Sequence, residues 1–342
     1  FLPLSHVLER MGGLFTMLAV GANISYAERM DTVPQDILDV RPTFMISVPR
    51  LYEKIYGKAL ATAAGAGFPK KNIFFWARAV GIRMARMKEA GKKPGGLFKL
   101  QYAIADKLVF SKLRAKLGGR IQLMISGGAP LNMKINQFFN GAGLNILEGY
   151  GLTETSPILS ANTFENFRYG SVGKAIPETE IKIAEDGEIL CRGPQVMLGY
   201  YKNEEATREV MDEDGWFATG DIGKFDEDGF HYITDRKKDL IVTAGGKNIP
   251  PQPIENKYVA HKYVAQTVVI GDQRQYLSAL IVPNFEPLAA FGADKGRSPM
   301  SRGDRIKHPA VVELFAGRLA EQTLDLPGFS RVRQFAGLAR EF

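Results

Sequence analysis

The chain has 342 residues, 45% of them hydrophobic, enough for about two domains with a buried core in each. One cysteine, Cys191, excludes an intrachain disulfide framework and a Cys-rich zinc site; His6, His231, His261 and His308 lie far apart without HExxH spacing, which gives a zinc hydrolase little support. The net charge of +7 hides an asymmetry: residues 41–120 hold 18 Lys and Arg against Glu53, Glu89 and Asp106, a balance of +15, so the remainder carries −8.

The chain opens Phe-Leu-Pro-Leu-Ser-His, with no Met and no basic segment ahead of an apolar run. That is unlike a signal peptide and reads as the middle of a longer protein. The run from Met11 to Ile24 is shorter than the ~20 apolar residues of a membrane span and predicts a buried core helix. Residues 1–60 alternate helices and short strands. Phe44–Val48, stopped by Pro49, predicts a buried parallel strand. Residues 51–118 read as helical, broken at Gly91-Lys-Lys-Pro-Gly-Gly96. Within them Ile73, Trp76, Ala77, Val80, Met84 and Met87 form a helical apolar stripe, with Arg78, Arg83, Arg86 and Lys88 mostly off it. Such a helix either faces its stripe to the core or docks on anionic membrane. Nucleic-acid binding is a third reading, but no nucleic-acid motif accompanies the charge.

Ile121–Ile125 predicts a second buried strand, ending in Ser126-Gly-Gly-Ala-Pro130; a helix from Asn132 to Phe139 follows. Leu144–Leu147 then enters Glu148-Gly-Tyr-Gly-Leu-Thr-Glu-Thr155. Strand, Gly-rich loop and helix in repetition imply an α/β core. After residue 168 two hairpins appear, turning at Asp186-Gly187 and Asp228-Gly229. Beyond Asp239, a short helix and the strands Val264–Ile270 and Tyr276–Val282 predict a small α+β domain. Residues 286–342 read as helical, with a polar stretch near 292–305.

The two Gly-rich loops let a ligand approach the backbone closely, and free N–H groups there can hold phosphate oxygens. Neither is a Walker loop, since no Gly-Lys-Ser/Thr follows. Tyr150 offers a ring for a base, Thr153 a hydroxyl for phosphate, and Glu154 an oxygen for magnesium or simply a helix-start carboxylate. Asp221 either accepts ribose hydroxyls or caps its own turn. Arg236, in Asp235-Arg-Lys-Lys-Asp239, either forks onto phosphate or lies in a solvated linker. Gly245-Gly246-Lys247 is either a ligand loop or a plain hairpin turn.

Taken in order, these pieces resemble the acyl-adenylate-forming superfamily, and within it the bacterial long-chain fatty acid–CoA ligases. The resemblance is carried by Leu2-Pro-Leu-Ser-His-Val-Leu-Glu-Arg10, Val48-Pro-Arg-Leu-Tyr-Glu-Lys54, Ser126–Pro130 and Glu148–Glu154. It continues through Gly215-Trp-Phe-Ala-Thr-Gly-Asp221, Asp235–Asp239 and Thr243-Ala-Gly-Gly-Lys-Asn248. It implies an adenylate-forming α/β fold: a large AMP-binding domain over 1–236, containing the basic helical segment 51–118 and the β-rich segment 168–235, a hinge at 237–239, and a small mobile domain over 240–342.

The resemblance also implies residue roles. Gly127, Gly128, Ala129 and Pro130 line the adenine pocket; Gly149, Tyr150 and Gly151 carry the stacking ring. Thr153 contacts the α-phosphate and Glu154 holds Mg2+. Asp221 binds the ribose, Ile233 touches adenine, and Arg236 contacts ribose and phosphate. His6 lies near the acyl carboxylate, Lys238 is the pivot, and Gly245, Gly246 and Lys247 enter the site for thioesterification. Tyr52 falls where an aromatic gate on the acyl tunnel can stand. The family's phosphate loop is expected before His6, and its adenylation lysine after Phe342. Asp235 stands where the wider superfamily has Gly.

The implied activity converts ATP, a long-chain fatty acid and CoA into acyl-CoA, AMP and pyrophosphate. A fatty acyl-AMP ligase loading a carrier protein, or a catalytically dead nucleotide-binding relative, would share these motifs. The implied location is cytoplasmic, with peripheral contact on the inner membrane face through the basic segment as one reading.

Overall fold

Three short apolar runs form the centre of the first sheet. In the computed structural model, which describes residues 2–29, 31–259, 261–293 and 301–340, they are Phe44–Ser47 (β1), Leu123–Ser126 (β2) and Ile146–Gly151 (β3). β1 and β2 run parallel, with Phe44 opposite Leu123; β2 and β3 run parallel, with Ser126 opposite Glu148. β3 then changes partner. From Gly149 it pairs antiparallel with Ile158–Ala161 (β4), which pairs with Lys174–Ala175 (β5). The segment predicted as a Gly-rich loop is therefore partly strand. Glycine permits this, because a Cβ on Gly151 would lie 1.5 Å from the Pro157 carbonyl oxygen.

Helical segments surround this sheet: a π-helical stretch Glu9–Phe15 running into Thr16–Ala19 (α1), then Val33–Val40 (α2), Pro49–Gly65 (α3), Lys70–Glu89 (α4) and Gly96–Ala105 (α5). A second π-helical stretch, Asp106–Phe110, joins α5 to Ser111–Ala115 (α6), and Met133–Gly141 (α7) follows. Pro49 starts α3 at a position whose N–H has no helical partner. Asn132 caps α7 by accepting the Lys134 N–H at 3.0 Å. Tyr52, Phe110, Met124, Phe138, Phe139 and Leu144 are fully buried between these layers. α4 crosses α7 at a glycine pair: a Cβ on Gly141 would meet the Gly81 oxygen at 2.1 Å.

One expectation fails here, and one pair of alternatives is decided. The run from Met11 to Ile24 is helical only to Ala19 and is not buried, for Phe15, Leu18 and Val20 are all exposed. Its contact with β1 is made through small residues: a Cβ on Gly12 would meet Ile46 Cδ1 at 2.4 Å, and the buried members are Glu9 and Gly13. The stripe on α4 is not free for a membrane. Ala77 and Val80 are buried in the core, with Met84 and Met87 packed against it.

A four-stranded sheet follows in the order Glu180–Ile183 (β6), Glu188–Arg192 (β7), Phe217–Phe225 (β8) and His231–Arg236 (β9), with Glu204–Val210 (α8) between β7 and β8 in the chain. The predicted turns are present, with Gly187 at φ 88° and Gly229 at φ 78°. Cys191 is buried beside Leu159 and Phe217, and burial pushes its thiol up to about 12. The first compact unit comprises residues 1–219 and 224–233; residues 220–223 group with 234–342 in the second.

The second unit holds a small hairpin, Ile241–Val242 (β10) and Asn248–Ile249 (β11), then Pro251–Val259 (α9), Val264–Ile270 (β12) and Leu277–Pro283 (β13). Phe285–Ala293 (α10), Arg302–Lys307 (α11), Pro309–Gln322 (α12) and Val332–Gly337 (β14) complete it. β14 corrects the helical expectation for 286–342: it runs parallel to β13, with Leu280 opposite Ala336. Val332 and Phe335 pack against the core of Ile254, Tyr258, Leu277 and Phe315, which holds the strand there. Of the polar stretch 292–305, residues 294–300 lie outside the described residues. No described helix is long and apolar enough to cross a membrane.

Candidate nucleotide and acyl-transfer site

In the first unit, the two Gly-rich segments are brought side by side by the parallel pairing of β2 and β3. A Cβ on Gly127 would stand 3.6 Å from the Gly149 oxygen, and 3.3 Å from Leu8 Cδ2 two residues after His6. Gly127 donates its N–H to the Ser47 oxygen at 3.3 Å, and Gly128 takes φ 81°. Gly128, Ala129 and Pro130 are exposed, so the loop presents backbone to a ligand.

Glu148 ties the two segments together. Its Oε2 accepts the Leu131 N–H at 3.2 Å, just past the first loop, and its Oε1 accepts from Asn136 Nδ2 at 2.8 Å on α7. Asn140 in turn donates to Asn136 Oδ1 at 2.6 Å and to the Ile146 carbonyl at 3.1 Å. Burial, only partly offset by these hydrogen bonds, pushes the Glu148 carboxyl up to about 7. The motif contained this residue, but nothing in the sequence separated its bracing role from that of its neighbours.

Beyond it, Thr155 locks the turn. Its hydroxyl accepts the Leu152 N–H at 2.9 Å and donates to the Pro157 carbonyl at 2.7 Å. Thr153 is exposed, while Tyr150 and Leu152 rest on the Leu159–Cys191–Phe217 cluster. Glu154 is held from another segment: its carbonyl accepts the Met197 N–H at 2.7 Å, and its Oε1 accepts the Tyr200 hydroxyl at 3.0 Å. Tyr200 was missed; the available signal was the aromatic pair after Gly199. Burial and the Glu154 carboxylate together raise the Tyr200 phenol above its ordinary value.

No cluster of three His, Cys, Asp or Glu side chains able to hold a metal occurs among the described residues. Glu154, with one oxygen oriented by Tyr200, nonetheless fits magnesium, which uses one or two carboxylates together with substrate phosphates.

His6 is exposed, and its Nδ1 accepts the Leu8 N–H at 3.2 Å. It does not line the cavity of about 210 Å3 that Glu9, Gly13, Met17, Ile24, Phe44 and Ile46, among others, enclose. Tyr52 does not line that cavity; it is fully buried, donates its hydroxyl to the Ile125 carbonyl at 2.8 Å and meets Phe139 edge-on. Ile233 is half-buried on β9.

In the second unit, Asp221 is buried on β8, and Arg236 Nε approaches its Oδ1 at 3.5 Å. Asp235 is buried next to them and accepts the Arg236 N–H at 2.6 Å. Burial, with the negative charges of Asp239 and Asp221, raises its carboxyl above the usual range. Lys238 is exposed in a 3-10 turn, Lys237–Asp239. Gly245, Gly246 and Lys247 form the exposed turn of the β10–β11 hairpin, with Gly246 at φ 70° and Thr243 Oγ1 accepting the Lys247 N–H at 3.2 Å.

Two Gly-rich strand ends beside an oriented carboxylate, followed by a β-rich region and a small α+β unit, are the layout of an adenylate-forming enzyme. Solved structures carry the same fold: the adenylation domain of a carboxylate reductase from Mycobacterium chelonae matches 100% of this chain and 48% of its own, at TM-score 0.73 and 24% identity. An o-succinylbenzoate coenzyme A synthetase from Bacillus subtilis, in complex with AMP, matches 99% of this chain and 56% of its own at TM-score 0.64 and 22% identity.

The chain belongs to the AMP-binding enzyme family: residues 1–201 match that family, and residues 238–296 match the AMP-binding enzyme C-terminal domain. A long-chain-fatty-acid–CoA ligase of Mycobacterium bovis, FadD15, is 39% identical over all of this chain and 56% of its own length. A human long-chain-fatty-acid–CoA ligase, ACSBG1, is 36% identical over 82% of this chain and 40% of its own. The chain thus spans a little over half the length of the first of these relatives.

Proposed function

We propose that the protein carrying this chain is a long-chain fatty acid–CoA ligase. A fatty acid carboxylate oxygen attacks the α-phosphorus of ATP, and the bond to pyrophosphate breaks. The CoA thiolate then attacks the acyl carbonyl, and AMP leaves. A carboxylate is a poor electrophile, and AMP makes it a good one by supplying a stable leaving group. The observation that carries the reading is the Gly149–Glu154 segment, where an exposed Thr153 hydroxyl stands beside a carboxylate oriented by Tyr200. The whole-length similarity to relatives named as fatty acid–CoA ligases supports the same reaction.

Tyr150 stacks on the adenine, which lies along Gly127–Pro130 and beside Ile233. Thr153 donates to an α-phosphate oxygen. Asp221 accepts the ribose hydroxyls, and Arg236 reaches ribose and phosphate oxygens. Glu154 would hold magnesium, which would supply charge neutralisation for the substrate phosphates. His6 flanks the acyl carboxylate. Lys238 is the pivot between half-reactions, and Gly245–Lys247 serves the second of them. The work is done on the cytoplasmic side of the membrane.

The test is fatty-acid-dependent exchange of pyrophosphate into ATP, with the products then trapped by CoA or by a carrier protein. Exchange should fall at least about a hundredfold in Glu154→Gln, as loss of transition-state charge stabilisation does elsewhere. Normal exchange in that variant overturns the role of Glu154. Acyl transfer to the carrier but not to CoA makes the protein an acyl-AMP ligase. No exchange by the wild type makes it a nucleotide-binding relative without the reaction.

A further inference from the structure

The segment before α8 holds Glu154 at two points. The Glu154 carbonyl accepts the Met197 N–H at 2.7 Å, and its Oε1 accepts the Tyr200 hydroxyl at 3.0 Å, from 46 residues along the chain. Met197 is itself seated, since it packs with Val196 on the Leu159–Cys191–Phe217 cluster. Tyr200 in turn has little freedom. Its N–H donates to Thr207 Oγ1 at 2.9 Å, and its carbonyl accepts the Asn203 N–H at 3.1 Å. The Thr207 hydroxyl donates back to the Asn203 carbonyl at 2.8 Å, and Asn203 Oδ1 caps α8 by accepting the Ala206 N–H at 3.1 Å. Gly199, just before Tyr200, takes φ 149°, and a Cβ there would meet Thr207 Cγ2 at 2.8 Å. The start of α8 thus aims the phenol. Burial and the Glu154 carboxylate raise that phenol above its ordinary value, so it keeps its proton and donates.

The grip makes the two oxygens of Glu154 unequal. Oε1 is engaged, and Oε2 accepts no hydrogen bond among the described residues. A donor behind a metal-binding carboxylate fixes its direction. Direction matters unequally to the two common hard divalent cations. Magnesium demands near-ideal octahedral geometry, whereas calcium accepts a flexible set of oxygens and takes a carboxylate by one oxygen or by both. A carboxylate free to turn serves calcium well; one held at two points favours magnesium.

We propose that Tyr200 sets the metal selectivity of this site, holding Glu154 in one orientation and so favouring magnesium over calcium. Tyr200 is a positioning residue, because its effect passes through the Glu154 carboxylate. The proposal rests on the reading of Glu154 as the magnesium carboxylate and adds what discriminates between cations there. The selectivity is built in before any nucleotide arrives, since Gly199, Asn203 and Thr207 fix the Tyr200 backbone within the chain's own turn.

The experiment is calorimetric binding of α,β-methylene-ATP, whose α–β bridge cannot break, to the full-length protein carrying this chain. It is run with EDTA, with excess magnesium and with excess calcium. The metal increment is the ratio of affinity with the cation to affinity with EDTA. The variants are Y200F, which keeps the ring and removes the donor, E154Q, the double variant, and T207A with T207S. Y200F should leave affinity in EDTA unchanged, lower the magnesium increment roughly tenfold or more, and lower the calcium increment less, so that selectivity falls. T207A, which keeps the phenol but frees its backbone N–H, should move the same way, and T207S should restore the wild type. Y200F should add nothing in the E154Q background. Equal loss with magnesium, calcium and EDTA, a wild-type magnesium increment in Y200F, or full additivity with E154Q overturns the inference and leaves Glu154 its role. No magnesium increment in the wild type overturns the reading of Glu154 as a metal carboxylate, and the inference with it.

Discussion

Replacing Glu148 by Gln tests whether a buried, uncompensated carboxylate braces the two Gly-rich segments. Glu148 has two donors but no cation, and burial raises it from the ordinary 4.5 to about 7. A raised acid binds its proton more tightly in the folded state. Its contribution to stability is therefore largest below about pH 4.5, falls as pH rises to about 7, and is gone above that. The separation corresponds to roughly 3 kcal/mol. Glutamine cannot ionise, but its amide turns an N–H toward either Leu131 N–H or the Asn136 amide, a pH-independent loss of about 1–3 kcal/mol. The variant should be the less stable near pH 5 and overtake or equal the wild type above pH 7. The difference must be measured, since His231, pushed down to about 4 by burial, gives the opposite slope, losing its contribution as pH falls from about 6.5. Urea unfolding followed by tryptophan fluorescence reports the relevant unit, because Trp76 and Trp216 both lie in it. A wild-type-to-variant difference that stays flat from about pH 5 to pH 8 refutes the reasoning.

Gly151→Ala should destabilise the first unit by about 1–3 kcal/mol or more, since the new Cβ collides with the Pro157 backbone; an unchanged urea midpoint counts against the observed strand geometry. Tyr52→Phe should cost about 1 kcal/mol through the lost bond to the Ile125 carbonyl, read as a lower thermal midpoint. A change in acyl-chain preference without a stability change would instead give Tyr52 the gating role. Lys238→Pro, which fixes φ near −65°, should slow acyl transfer to CoA about tenfold or more while sparing acyl-AMP formation; equal loss of both steps removes Lys238 as the pivot.

The elements most legible in the sequence were those with local punctuation. Pro49 stops the run that becomes β1, Asn132 caps α7, and the Asp-Gly pairs turn both predicted hairpins. The failures share a cause, since each was decided by a distant partner. Gly149–Gly151 reads as a loop until β4 is present to pair with it. Val332–Gly337 has no strong alternation and becomes a strand by lying along β13. The helical stripe on α4 was visible, but which of two adjacent basic helices spends its apolar side on the core depends on the crossing with α7. In the candidate site the motif residues were found by type and spacing. Tyr200 and the Glu148–Asn136 brace were not, because those contacts span 46 and 12 residues.

The glycine pair where α4 meets α7 has a bearing on how this protein can be shortened. Residues 51–118 look like a removable insertion, a helical block between two strands. Yet Gly81 and Gly141 touch backbone to backbone, and Arg114 donates to the Ala142 carbonyl at 2.7 Å. α7 carries Asn136, the partner of Glu148, so its seat is set from outside by the block. Excising the block would strip the cover from Phe138 and Phe139 and let α7 drift, blunting the nucleotide segments without touching one of their residues. By the same contact the two positions are unequal: a side chain at 141 would run into the Gly81 backbone and push the helices apart, whereas a Cβ at 81 would press on the Phe110 ring at 2.9 Å, so a homologue with a larger residue at 141 must have re-seated both helices.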